Sequence, residues 1–210
     1  MLQRHMRIED LDAVLVSHSH PDHWVEVPIM RNALRYVLGR SGVPLHSTAE
    51  TLGLMERITH DGIAPTLEPH VIADGSEIEV GPLRIRCSRT DHPPETLAFC
   101  VDDGRSRVAY SADTGPRWSF SEFGAPVDLG VCEATFRDGA PSRARGGAVA
   151  GRHPHDGAAG GCDGRGGRRA RQPGADPPPA GADAAGAAAE AASAYGAEPA
   201  VARSGMVLDI

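Results

Sequence analysis

Apolar and polar positions recur along residues 1–136 in patterns that spell out a series of elements. Ile8 and Leu11 lead into the apolar run Ala13-Val14-Leu15-Val16, which predicts a buried strand over residues 13–17. Val27, Met30, Leu34, Val37 and Leu38 recur at helical spacing and predict a helix over residues 25–38, with Gly39 and Gly42 placed to end it. Val43-Pro44-Leu45-His46 predicts a short strand, and Leu52, Met55 and Ile58 share one face of an amphipathic helix over residues 48–58. The period then changes to two. Residues 76–80 and 83–87 alternate around a Gly81-Pro82 turn, residues 97–101 and 107–111 flank Asp103-Gly104, and residues 127–132 form a further apolar strand. Strands dominate with helices inserted between them, so the expected fold class is α/β, a layered sandwich.

The pattern stops at Arg137. From there to Gly205 the chain has no Leu, Ile, Met, Phe or Trp, and its sizeable apolar residues are Val149, Tyr195 and Val201, apart from Cys162. Such a stretch buries too little apolar area to offset its conformational entropy. Three segments are therefore expected: residues 1–136 as the folded domain, 137–183 as a low-complexity segment, and 184–210 as a residual helix (184–195) and strand (206–210) of the domain.

Composition narrows the function classes. The formal net charge is −7 over 210 residues, with no basic stripe in the first half, which disfavours generic nucleic-acid binding. The chain has no lysine, a sign of a GC-rich gene. Cys87, Cys100, Cys132 and Cys162 form no CxxC pair and read as buried reduced thiols. The polar opening Met1-Leu2-Gln3-Arg4 reads as no secretory leader, and no apolar run approaches membrane-spanning length, so a cytoplasmic location is expected.

The chemistry lies in His18-Ser19-His20-Pro21-Asp22-His23, directly after the first strand. His18 and His20, two apart, can point to one side of an extended segment, while Asp22 and His23 on the following turn can face a second ion. Imidazoles and carboxylates in this density suit zinc. Further donors lie at the ends of predicted strands: His92 after Thr90-Asp91, and Asp113 after Tyr110-Ser111-Ala112, where a carboxylate can bridge two metals. His46, His60 and His70 lack such spacing and read as ordinary histidines.

His18-x-His20-x-Asp22-His23, Thr90-Asp91-His92 and Ser111-Ala112-Asp113-Thr114-Gly115 together resemble the metallo-β-lactamase fold superfamily, within it the ribonuclease Z-like group. The resemblance covers residues 2–136. It implies an αββα sandwich with a dinuclear zinc site at one edge of two sheets. By position, His18, His20 and His92 would hold the first metal, Asp22 and His23 the second, and Asp113 would bridge. Asp22 would orient the water and handle its proton, and a metal-bound hydroxide would attack. The implied reaction is hydrolysis of a small-molecule or nucleotide phosphodiester; the alternatives are a lactone, thioester or β-lactam hydrolase, and a degenerate, non-catalytic metal-binding protein. The group often dimerises, so a homodimer is implied; its long arm for gripping transfer RNA is not recognisable here.

Two departures stand out. The family carries several strands before the metal motif, so the chain reads as N-terminally truncated and the sandwich as incomplete. The family's late ligand histidine, in a Thr-His-Leu setting, is absent, which weakens the second metal. Ala175-Asp176-Pro177-Pro178-Pro179-Ala180 can be encoded so that the neighbouring frame reads Leu-Thr-His-Leu-Pro. A pair of compensating frameshifts over residues 138–180 is one reading, and a genuine low-complexity tail is the other.

Overall fold

The computed structural model describes residues 7–132 except 116 and 125, together with 173–175, 189, 192, 199–201 and 206–207. The fold is mixed α/β, with the described strands in two sheets. Contacts divide the chain into two compact units, residues 1–89 with 93–97, and residues 90–92 with 98–210.

In the first unit, β1 (Val14–Leu15), β2 (Val43–Ser47) and β3 (Leu67–Val71) form a parallel sheet in that order. Val14 pairs with Leu45, and Val43 with Leu67. Val43, Leu45 and Ser47 alternate onto the buried face of β2. Val16, Trp24, Met30, Leu34, Leu45, Leu52, Met55 and Leu67 belong to one continuous core. The loop ahead of β1 is held by Arg40, whose guanidinium donates to the carbonyls of Glu9 and Leu11. β4 (Glu77–Val80) and β5 (Leu83–Arg89) form an antiparallel hairpin through the turn at Gly81, which takes φ +55°.

Two features differ from the sequence pattern. β3 carries no apolar alternation; its Glu68, Pro69 and Val71 are exposed. Proline is tolerated there because β3 is an edge strand, paired on one side only. The expected 25–38 helix is α1 (Val27–Asn32), which widens into a π-helical turn over Ala33–Val37. Leu38 N–H bonds the Ala33 carbonyl five residues back. That wider turn shifts the register, so Val27, Met30 and Leu34 are buried while Val37 and Leu38 face out. α2 (Ala49–Ile58) matches its expected span and is capped by Thr48, whose hydroxyl accepts from Thr51 N–H.

In the second unit, β6 (Leu97–Asp102) runs antiparallel to β7 (Arg107–Tyr110), which pairs in parallel with β8 (Leu129–Cys132). β9 (Pro173–Ala175) lies parallel to β8, and β10 (Ala200–Val201) parallel to β9. β9 falls inside the stretch expected to be low-complexity: backbone pairing needs no apolar side chain, and proline fits as the first residue of a strand. The rest of that stretch lies outside the described residues. Residues 189 and 192 of the expected 184–195 helix are helical. Of the strand expected at 206–210, Met206 and Val207 are exposed and not in a strand, and residues 208–210 lie outside the described residues; pairing among the described residues occurs at Ala200–Val201.

Cys87 and Cys100 are buried; burial, with Asp74 nearby, pushes the Cys87 thiol up to about 11. Cys132 is disulfide-bonded, which corrects the expectation of reduced thiols throughout; Cys162 lies outside the described residues. Among the described residues no helix is long and apolar enough to cross a membrane.

The core of this unit packs Ala98, Cys100, Ala109, Val127 and Cys132 against Trp118, Phe120 and Phe123. Gly130 on β8 leaves room for the Phe120 ring: a Cβ there would stand 2.7 Å from Phe120 Cε2. Gly130→Ala is expected to destabilise the protein by about 1–2 kcal/mol through overpacking, read as a lower denaturation midpoint with an unchanged slope.

Candidate metal centre

The histidine motif is presented by the end of the β1 segment. Val16 N–H bonds the His46 carbonyl, Ser47 Oγ donates to the Val16 carbonyl, and Leu97 N–H bonds the Ser17 carbonyl. The chain therefore stays extended through Ser17 and His18. Pro21 then opens a 3-10 turn over Pro21–His23, its fixed φ suited to that position. Trp24 closes the turn, its ring buried and its Nε1 donating to the Ser19 carbonyl at 2.8 Å. Ser19 Oγ donates to Glu50 Oε1 on α2.

His18 is 0% exposed. Its Nδ1 lies 3.0 Å from Ser17 Oγ, and its Nε2 lies 3.0 Å from His20 Nδ1. The Ser17 contact orients the ring so that Nε2 faces its neighbour. Two nitrogens at about 2.0–2.1 Å from a tetrahedral zinc stand roughly 3.3 Å apart, so this spacing fits two ligands of one ion. The His23 ring lies against the His18 ring with centroids 4.1 Å apart. Asp22 is 67% exposed, with Oδ2 3.7 Å from His23 Nε2.

His92 and Asp113 sit on two turns that are tied together. His92 Nε2 lies 3.5 Å from Asp113 Oδ2. Thr90 Oγ1 donates to the Asp113 carbonyl at 2.7 Å, and Gly115 N–H bonds the Asp91 carbonyl at 2.9 Å. Arg117 grips the Asp91 carboxylate side-on, with Nε 2.8 Å from Oδ2 and Nη2 2.5 Å from Oδ1. That guanidinium holds the Asp91 carboxyl below its ordinary range. Ala112, just before Asp113, takes φ +52° with its side chain buried, a conformation costly for a residue with a Cβ.

One ligand atom each from His18, His20, His92 and Asp113 lies within 4.8 Å of every other, and among the described residues this is the one such group of three or more. Asp22 and His23 stand outside it. Three imidazoles and a carboxylate form a donor set that suits zinc. Among the described histidines outside this group, His46 and His70 stack across β2 and β3, and His60 is 95% exposed. Burial, then His70, lowers the His46 pKa. Ser17, Asp91 and Arg117 were not singled out by spacing; only their contacts reveal them.

A three-histidine, one-carboxylate cluster at the ends of strands in a mixed α/β fold is a group that can hold a metal ion. The beta-lactamase superfamily domain matches residues 2–200, and the chain belongs to that family. It is 30% identical over 128 residues to UPF0173 protein PF0020 of Pyrococcus furiosus, covering 59% of this chain and 53% of that protein. It is 29% identical over 136 residues to Probable metallo-hydrolase YhfI of Bacillus subtilis, covering 61% and 53%. The chain spans about half the length of the curated relatives it matches. The crystal structure of the metallo-beta-lactamase fold protein YhfI superposes on 99% of this chain and 82% of its own, with TM-score 0.76 and 22% identity; it shares the fold.

Proposed function

We propose that this chain is a zinc-dependent phosphodiesterase of the ribonuclease Z-like type, acting on a small-molecule or nucleotide phosphodiester. The observation that carries the reading is the convergence of His18, His20, His92 and Asp113; the Ser111-Ala112-Asp113-Thr114 turn favours a phosphodiester over a lactone, thioester or β-lactam. Zinc at such a centre supplies Lewis acidity, lowering the pKa of water toward ~7 and offsetting charge on the attacked group. The chain's own residues do the rest. Ser17 fixes the His18 ring, the Thr90 and Asp91 contacts fix His92 and Asp113, and exposed Asp22 passes the proton to solvent. Because Asp22 and His23 stand outside the four-donor group, one tightly held zinc is expected, with a second held weakly.

The test is hydrolysis of bis(p-nitrophenyl) phosphate by zinc-loaded protein, beside a chromogenic cephalosporin and a thioester. Phosphodiester turnover that disappears on chelation and returns with zinc is the expected outcome. Turnover of the cephalosporin or thioester alone would reassign the substrate class. A protein that takes up zinc and hydrolyses none of the three would be a non-catalytic binder.

A further inference from the structure

We infer that Arg117 is a positioning residue for the metal centre, acting through Asp91. The inference rests on the proposed metal site and adds a residue that never reaches the metal. His92 and Asp113 come from turns 21 positions apart in sequence, and each turn is held by contacts to the other. The Thr90 hydroxyl takes the Asp113 carbonyl, and the Asp91 carbonyl takes Gly115 N–H. Arg117, two residues past Gly115, closes the ring with its side-on grip on the Asp91 carboxylate. Asp91 therefore bonds the Asp113 turn through its backbone and its side chain together, while His92 is its immediate neighbour.

Two further observations fit a clamp. Gly115 has no space for a side chain, since a Cβ would lie 2.8 Å from Asp91 Oδ2 and 2.9 Å from the Asp91 carbonyl oxygen. The two turns are thus packed to contact at the point where the ion pair sits. Arg117 itself has an 82% exposed side chain, so it contributes little to any core. A lone exposed ion pair adds little to stability. A bidentate guanidinium–carboxylate pair, however, fixes geometry in two directions at once. Partners that orient metal ligands govern affinity even without touching the ion.

The experiment measures zinc affinity of the full chain by chelator competition, with the thermal midpoint of the metal-free protein alongside. Arg117→Met and Asp91→Asn are each expected to weaken zinc binding about 10–100-fold. The double variant should be no weaker than either single one, because both remove the same clamp. Arg117→Lys, which keeps the charge but not the fork, should recover part of the loss. The metal-free midpoint should stay within about 3 °C of the parent, a shift corresponding to less than ~1 kcal/mol. Wild-type zinc affinity in Arg117→Met would overturn the inference, as would losses that add in full or a matching fall in the metal-free midpoint. A parent chain that binds no zinc would instead overturn the metal site itself, and the clamp with it.

Discussion

Replacing His18 by Ala is expected to remove the tightly bound zinc and lower phosphodiester hydrolysis by about 10³-fold or more. Partners outside the coordination shell already cost 10–100-fold when removed, and His18 would be a direct donor to the proposed zinc. It is also the most enclosed donor, at 0% exposure, with Ser17 fixing one nitrogen and His20 Nδ1 lying 3.0 Å from the other. Water entering the space left by the imidazole brings no ring held in a fixed tautomer, and the remaining His20, His92 and Asp113 would hold zinc weakly. The His23 ring loses its neighbour at 4.1 Å as well, so a modest fall in stability accompanies the chemical loss. His60→Ala is the control, since His60 is 95% exposed and outside the centre; zinc content and turnover should not change. Zinc by elemental analysis, with bis(p-nitrophenyl) phosphate turnover, checks both variants. His18→Ala retaining zinc and activity would place the metal elsewhere.

The candidate donors were legible in the sequence where chemistry and local spacing coincide. His18 and His20 are two apart on an extended segment, and Asp113 follows closely on the strand that ends at Tyr110. His92 was legible only as a histidine beyond a strand; its pairing with Asp113 depends on two turns meeting. The same reason hid the clamp. Asp91 and Arg117 lie 26 residues apart and no sequence spacing joins them, and Gly115 reads as a turn glycine until its contact with Asp91 is seen.

The elements followed the same logic. Strands with one buried face, such as β5 with Ile85 and Cys87 inward, announced themselves by period two. β3 did not, because an edge strand with Glu68 and Pro69 owes its place to pairing with β2 rather than to its own apolar pattern. The five-residue turn after α1 is equally silent in sequence: the apolar stripe continues through Val37 and Leu38, and only the backbone register shows that they leave the buried face. The short β9 pairing is silent too, since it is made by backbone groups in a stretch with few sizeable apolar side chains.

Arg31 contradicts the sequence pattern most sharply, and Arg31→Met is expected to stabilise the protein by roughly 1–4 kcal/mol. Arginine is ordinarily exposed or paired, yet Arg31 is 1% exposed on α1, beside core residues Met30 and Leu34 in sequence. Its Nη1 donates to Asn32 Oδ1 at 3.0 Å, while Nε and Nη2 have no hydrogen-bond partner among the described residues. Those two nitrogens form the same edge that Arg117 uses to grip Asp91, so their cost is that of a desolvated fork without its anion. Guanidinium cannot escape by losing its proton. Met keeps a flexible apolar stem of similar reach and a similar helix propensity, and removes the charge. The one bond lost, to the exposed Asn32, weighs little against that desolvation. Chemical denaturation of the metal-free protein reads the gain as a higher midpoint at constant slope. A loss of more than about 1 kcal/mol would show instead that the guanidinium is satisfied by an anion in the working protein. Arg31→Lys separates charge from shape: it keeps the buried cation, so it should recover none of the gain.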